Sequence, residues 1–425
     1  MLRGIAVCGI IVFMMGWSSC KKKDEIPPII EITSPSSGQL FHVYDTIQVA
    51  FQISDETELV SASVDIVNQD FIPVTPKTTI QNFNGTAGVV LDDKLLETGD
   101  YFLQVSASDG VNNSREFVEV RLIAIPKVRR AIYVATSNGS GQDGMWKVDS
   151  LMQQSSSWVQ PSQDVLKLCV NSRYDQLALV GRYSTGIKVY DLQFESLVWT
   201  DNVFTVSQTQ RYMDLLCGAG SFYTSIYERE IRQYNLNGAL TRNVETDDYR
   251  PELLYLHEDK LLVEENLVGD NHYVLNVYFE PTNALLWEVD FGVDITGIAA
   301  LQDDEVLVFG NDGQQARVFH YDVVENSYWE PRQLPNGRVY NAVELEGGTV
   351  AFTHDDGVYA YTYSPNFLNL IRLGSGYRQL KFDVDNGTVL TASGNMLEEI
   401  SPTGQLVNTI AVADSIVSFD IHYTR

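Results

Sequence analysis

The chain has 425 residues, 44% hydrophobic and 20% charged, with 29 Lys and Arg against 56 Asp and Glu. That is enough apolar mass for two or three globular cores, which excludes a wholly disordered chain. The net charge of −27 repels nucleic-acid phosphates and anionic lipid headgroups, so neither is an electrostatic partner.

The N-terminus reads Met1-Leu2-Arg3, then an apolar and small-residue stretch from Gly4 to Trp17, then Ser18-Ser19-Cys20 and Lys21-Lys22-Lys23-Asp24-Glu25. A positive start, a short apolar run and small residues before a cut make a secretory signal. The run covers residues 4 to 17, too short for a helix to cross ~30 Å of hydrocarbon. The cysteine at the cut resembles the lipobox of bacterial lipoproteins, although Trp17 stands where such boxes usually carry Leu. The resemblance implies a signal peptide over 1–19, acylation of Cys20 and a lipidated tether over 20–27. Acyl chains at ~0.8 kcal/mol per buried CH₂ would hold the chain on a bilayer without a spanning helix. The Lys-Lys-Lys-Asp-Glu run resembles the export tether of Bacteroidetes-type envelope lipoproteins. It implies an outer-membrane location, open to the surface or the periplasm.

From Pro27-Pro28 the texture changes to short, β-branched, alternating runs. They include Thr46 to Ile53, Leu59 to Val67, Tyr101 to Ala107 and Phe117 to Ile123, separated by turn residues such as Asn84-Gly85 and Asp109-Gly110. This spacing predicts an antiparallel sandwich over 28–125. The run Leu96-Glu-Thr-Gly-Asp-Tyr101-Phe-Leu-Gln-Val-Ser-Ala-Ser-Asp109 resembles bacterial Ig-like modules. The resemblance places Tyr101 as a tyrosine corner. Asp55 and Asp109 read as strand terminators, with calcium ligation the alternative.

After Pro126-Lys127 a repeat begins. Apolar strands start at Ala131, Gln176, Ser221, Lys260, Glu305, Thr349 and Thr388, with separations of 45, 45, 39, 45, 44 and 39 residues. Each is followed by a more aromatic strand, such as Ile187-Lys-Val-Tyr-Asp or Val318-Phe-His-Tyr-Asp. Seven units of that period predict a seven-bladed β-propeller over 128–425. The hairpins resemble those of WD-repeat and quinoprotein-like propellers, and no unit carries a complete family signature. The first unit begins at its second strand. The run Ser415 to Tyr423 reads as the missing first strand, so the C-terminal strand is expected to close the ring and remove its open edge. The fold class is therefore all-β.

Cys169 and Cys217 fall in successive repeats, at what reads as the same position. They could pair in an oxidising compartment, but at equivalent positions on neighbouring strands they read instead as buried free thiols acting as small hydrophobes.

Other motifs carry little chemistry. Gly139-Ser-Gly141-Gln-Asp-Gly144 has the letters of a dinucleotide fingerprint but precedes a strand, where the mechanism needs a helix. The six histidines have no zinc spacing. Asp383-Val-Asp385-Asn386-Gly387 lacks the later ligands of a calcium loop. Asp45-Thr46-Ile47, Asp149-Ser150-Leu151 and Asp414-Ser415-Ile416 resemble O-glycosylation acceptors of Bacteroidetes envelope proteins. No catalytic set, cofactor or metal site is read.

One constellation stands out at the entry to the inner strands. Asp164, Tyr212, Tyr249, Asp294, Tyr340, Tyr377 and Asp414 align in one column, and Arg211, Arg250, Arg338 and Arg378 stand beside the tyrosines. In a propeller this column rims the central channel. Phenols, guanidiniums and carboxylates there suit a sugar, a peptide tail or an anionic ligand. The other reading is that these residues tie neighbouring blades together. Three function classes follow: a lipoprotein that binds glycan, peptide or an envelope protein, a structural subunit of an outer-membrane complex, and a quinoprotein-like or lyase enzyme.

Overall fold

The computed structural model describes residues 26–425 except 57, 140–142, 160–163, 184–185, 202–210, 268, 271 and 303. Cys20, the lipobox and the tether up to residue 25 lie outside the described residues, as do residues 140–142 of the Gly139–Gly144 motif. The chain divides into two compact units after Ile125. Among the described residues, no helix is long and apolar enough to cross a membrane.

The first unit holds a three-stranded sheet (Ile29–Ser34, Thr46–Ser54, Asn84–Val90) and a five-stranded sheet. The five strands run in the order Gln39–His42, Asn113–Ile123, Gly99–Ser108, Ser61–Val67, Thr78–Ile80. Thr46–Ser54 alternates, burying Ile47, Val49, Phe51 and Ile53. That period-2 pattern turns one face inward. It meets Val64, Ile66, Leu103, Val105, Val120 and Leu122 of the other sheet in one core. The Tyr101 hydroxyl donates back to the Glu97 carbonyl at 3.2 Å. Asp109 ends its strand by accepting from the Val111 and Asn112 amides, each at 2.6 Å.

The second unit is a β-propeller of four-stranded antiparallel sheets, seven among the described residues. Their inner strands are Ser415–Tyr423 (sheet 1), Val165–Asn171, Tyr212–Cys217, Tyr249–His257, Asp294–Gln302, Val339–Glu344 and Tyr377–Asp383 (sheet 7). Each inner strand lies beside the inner strand of the next sheet, and the last lies beside the first. Second strands such as Gln176–Gly181, Ser221–Ile226 and Thr349–His354 are buried along nearly their whole length. A sheet stacked on both faces needs apolar residues at every step, which is why these runs stand out in the sequence. Outer strands such as Ala284–Val289 are mostly exposed.

The chain's end completes sheet 1. Ser415–Tyr423 pairs antiparallel with Arg129–Ser137, from Ser415 opposite Ser137 to Tyr423 opposite Arg129. Asp383 and Asp385 serve this seam. Asp383 takes the Arg129 guanidinium at 2.7 Å, and Asp385 takes its amide at 2.9 Å. Asp143 and Gly144 of the glycine motif belong to the strand Asp143–Asp149.

All seven inner strands share one irregularity. Each slips register against its second strand at the same place: Val165/Lys167, Tyr212/Asp214, Pro251/Leu253, Ile295/Gly297, Val339/Asn341, Tyr377/Gln379 and Ile416/Ser418. The extra residue of a bulge is unpaired and its side chain is re-aimed. These residues are Leu166, Met213, Glu252, Thr296, Tyr340, Arg378 and Val417, each at least partly exposed.

The bulge also corrects the reading of the cysteines. Cys169 and Cys217 form a disulfide, with Cα atoms 5.9 Å apart. Cys169 is three residues past its bulge and Cys217 four past its own, so their positions differ by one step. Successive strand residues face opposite sides of a sheet. Residues at equivalent steps of neighbouring sheets point the same way round the ring and miss each other. A one-step offset turns two side chains toward the same gap, here the apolar cluster between sheets 2 and 3.

Candidate functional site

The shared bulge provides a common reference for the residues singled out in the sequence. Asp164, Arg211, Arg250, Asp294 and Arg338 each stand two residues before a bulge. Tyr340 and Arg378 are bulge residues themselves. Tyr212 and Tyr377 stand one residue before the bulge, and Tyr249 and Asp414 three before. The sequence column is therefore spread over four steps of the strand.

These steps have different surroundings. The residue before the bulge is buried in six of the seven sheets. Tyr212 is 1% exposed, and burial, with Asp201 nearby, pushes its pKa up to about 12. Tyr377 is buried and donates to Glu398 at 3.0 Å, where Arg372 also binds. Both phenols serve sheet cores. Asp164 has a left-handed backbone (φ 74°) and accepts from the Tyr183 amide at 2.9 Å. Arg211 stitches the same edge, its amide donating to the Arg182 carbonyl at 2.6 Å. The Tyr249 backbone carbonyl accepts from the Thr246 hydroxyl at 2.6 Å, while Asp414 is half-buried.

What the structure does bring together lies on sheets 4 to 7. The Arg378 guanidinium sits 3.4 Å from the centroid of the Tyr340 ring. The Tyr340 hydroxyl donates to Asp355, whose other oxygen accepts from the Arg338 amide at 2.9 Å. The Arg338 side chain reaches toward Asp294, 4.0 Å away, and its buried Nε has no hydrogen-bond partner among the described residues. Burial, and then the neighbouring Arg338 charge, hold the Arg378 pKa below the usual guanidinium range. Burial and Glu252 push Asp294 upward, against the pull of Arg338. Arg250 pairs with Glu252 at 2.7 Å and lies over the Tyr227 ring, 5.2 Å from its centroid. A pocket of about 300 Å³ opens beside Arg338, lined by Tyr273, Asp294, Asn311 and Gly313.

The seven bulge residues divide by chemistry around the ring. Val417, Leu166 and Met213, on sheets 1 to 3, are apolar and partly exposed, and Leu166 and Val417 also pack against the clusters between sheets 2 and 3 and between sheets 1 and 2. Glu252, Thr296, Tyr340 and Arg378 make a polar arc on sheets 4 to 7. Behind Thr296 lies a channel cavity of about 630 Å³ with Lys167, Lys381, Glu344 and Glu346 on its walls. The channel's ion pairs, Lys167–Asp214 and Lys381–Asp420, link neighbouring sheets. Asp214 and Asp420 also accept backbone amides of the next sheet, from Leu254 and Val170, each at 2.9 Å. These acids satisfy inner-strand donors that no fifth strand reaches.

Sequence reasoning missed Glu252, Thr296 and Asp355. Two are bulge residues, which letter alignment cannot reveal. Asp355 follows a second strand, in the Thr349–Gly357 hairpin, and only the fold brings it to Tyr340. A second polar cleft of about 480 Å³, lined by Tyr223, Gln233, Arg242, Glu258 and Glu280, was also unforeseen. No group of three or more metal-ligating side chains occurs among the described residues.

No family profile and no curated protein matches the chain. Solved structures do match it. A protein from Lactobacillus plantarum has a TM-score of 0.52 at 14% identity, over 69% of this chain and 99% of that one. A quinoprotein alcohol dehydrogenase-like protein from Bacteroides thetaiotaomicron has a TM-score of 0.50 at 11% identity, over 93% of this chain and 99% of that one. The Dos1 propeller matches with a TM-score of 0.50 at 11% identity, over 69% of this chain and 89% of that one. At these identities the likeness establishes the β-propeller fold alone.

Proposed function

We propose that the chain is an outer-membrane lipoprotein, anchored through acylated Cys20, in which an Ig-like sandwich carries a seven-bladed propeller that binds a ligand or partner at its mouth. The observation that carries the binding role is the Arg338–Asp355–Tyr340–Arg378 cluster beside an open pocket. Arg and Tyr supply a planar donor and a flat amphipathic face, the groups that lead at recognition surfaces. The Tyr101 hydroxyl bond to the Glu97 carbonyl supports the Ig-like reading of the first unit. The Cys169–Cys217 disulfide accords with export to an oxidising compartment.

The binding role is tested by screening glycan and peptide arrays with the mature protein and a Tyr340→Ala/Arg378→Ala variant. Array hits on the mature protein should vanish in the variant while its melting temperature stays within a few degrees. Undiminished hits would move the site elsewhere. The anchor is tested by intact mass. Mature protein without acyl mass on Cys20 removes it.

A structural-subunit role is the second reading, and exposed apolar residues on outer strands favour it. Leu285, Leu286 and Trp287 of sheet 4, and Tyr328 and Trp329 of sheet 5, are each at least 40% exposed. Cross-linking in intact membranes that traps one partner through these strands would support it.

A further inference from the structure

The two guanidiniums at the mouth are held in a form that asks for an anion. Arg378 lies flat on the Tyr340 ring, and among the described residues it has no carboxylate within ion-pair distance. Arg338 meets Asp294 only at the 4.0 Å limit, and its Nε is buried without an acceptor. Asp355 is already engaged by the Tyr340 hydroxyl and the Arg338 amide. Arg378 is exposed and the Arg338 side chain is 40% exposed, so both are open to a ligand, and guanidinium N–H groups without acceptors bind a planar oxyanion through charge-assisted, two-point hydrogen bonds.

The charge count selects the anion. Arg338 and Arg378 face Asp294 and Asp355, so the cluster is formally neutral. A phosphate dianion would meet both carboxylates. A single carboxylate, shared by the two guanidiniums and lying away from Asp294, meets the least repulsion. The bulge residues next to Arg378 around the ring are Val417, Leu166 and Met213; Leu166 and Val417 pack partly against the neighbouring clusters, and all three keep some exposed surface that an apolar group attached to that carboxylate can cover. Thr296 stands where the mouth passes into the 630 Å³ channel.

We infer that the mouth captures the C-terminal end of a peptide: its carboxylate lies between Arg338 and Arg378, and its terminal apolar side chain lies on the Val417–Leu166–Met213 arc. This rests on the mouth reading above and adds the ligand's chemistry. The stacked Tyr340 ring fixes the Arg378 plane. A preset plane lowers the ordering cost of a two-point contact.

The test uses the mature lipoprotein in detergent and fluorescence polarisation. The probes are two pools of labelled pentapeptides ending in Leu, Ile, Val, Met or Phe, one with free carboxylates and one amidated. A labelled oligogalacturonate is a third probe, and inorganic phosphate is added as a competitor. The free-acid pool should bind at least tenfold more tightly than the amidated pool. Arg338→Gln and Arg378→Gln should each weaken it tenfold or more while circular dichroism and melting stay unchanged. Thr296→Trp should block it sterically. Equal binding of both pools overturns the carboxylate. If that binding is still lost in Thr296→Trp, the mouth survives as a binding place; if it persists, both readings fall. Binding of the labelled oligogalacturonate with no binding of either peptide pool overturns the peptide source, displacement of bound peptide by phosphate overturns the monoanion, and silence from every probe overturns the inference.

Discussion

Arg129 donates to Glu399 at 2.9 Å across the seam where the last sheet meets the first, and both side chains are almost wholly buried. Asp383 completes the triad at 2.7 Å from the same nitrogen. Removing one partner of a buried ion pair leaves uncompensated charge and costs roughly 3–5 kcal/mol. Arg129→Met should lower the free energy of urea unfolding by about that much. Burial alone would raise the Glu399 pKa, but hydrogen bonds from Asn408, Arg129 and Thr388 outweigh it and hold the pKa below the usual range. With the folded pKa depressed, this stabilisation is present above the unfolded pKa and is lost as pH falls through the folded one. Wild type should therefore lose more stability than Arg129→Met on acidification from pH 6 to pH 3. Parallel losses would mean the triad is uncoupled from the seam.

The same seam makes the chain's end indispensable. Ser415–Tyr423 supplies the inner strand of sheet 1, and Phe419 and Ile421 are buried between sheets 7 and 1. Deleting 412–425 opens both an apolar gap and a strand edge. The truncated protein should lose its single cooperative melting transition. A truncation that still melts sharply in calorimetry would show that the ring is complete without that strand.

The Cys169–Cys217 disulfide spans 48 residues. On the loop-entropy relation a loop of this length restricts the unfolded chain by about 4 kcal/mol. A Cys169→Ser/Cys217→Ser variant should unfold at clearly lower urea. Mature wild type should show no reactive thiol under denaturing, non-reducing conditions and two after reduction. Two thiols without reductant would restore the free-cysteine reading.

Tyrosines that look alike in the sequence should respond differently to truncation. Tyr212→Ala empties a fully buried site in the cluster between sheets 2 and 3, which costs ~3–5 kcal/mol for an aromatic side chain. Tyr340→Ala removes a half-buried ring at the mouth and should cost about 1 kcal/mol or less. Thermal melts of the two single variants decide this. Equal losses would place both rings in sheet cores.

The propeller's period is legible because its second strands are buried on both faces. Leu177 to Val180 or Val306 to Phe309 must be apolar at every step, and such runs recur visibly. The first strand of sheet 1 is legible for a different reason: the first unit starts at its second strand, and the run Ser415 to Tyr423 supplies the one it lacks. The mouth is not legible at residue level. An inserted residue changes which neighbours share a step, and letters alone do not mark it. Asp164, Tyr212 and Tyr340 align as text yet stand at three different steps. The cysteine pair failed on the same point, since one step decides which face a side chain takes. Asp355 is beyond any strand pattern, because it meets Tyr340 only through the fold of its hairpin.

Glu265 should make stability depend on pH near neutrality. It is fully buried in sheet 4 and accepts from the Tyr278 hydroxyl at 2.7 Å. Burial pushes its pKa up to about 7, beyond what hydrogen bonds from Tyr278 and Asn276 offset. The unfolded carboxyl titrates at about 4.3. Between those values the folded state binds more protons than the unfolded state, so this group's contribution to stability falls as pH rises. Below pH 4 both states are protonated and nothing is lost; above pH 8 the full penalty, on the order of 3 kcal/mol, applies. Glu265→Gln keeps an acceptor for Tyr278 and carries no charge. Its stability relative to wild type should improve steadily from pH 5 to pH 8 in matched urea titrations. A constant difference across that range would show that Glu265 titrates as an ordinary carboxylate.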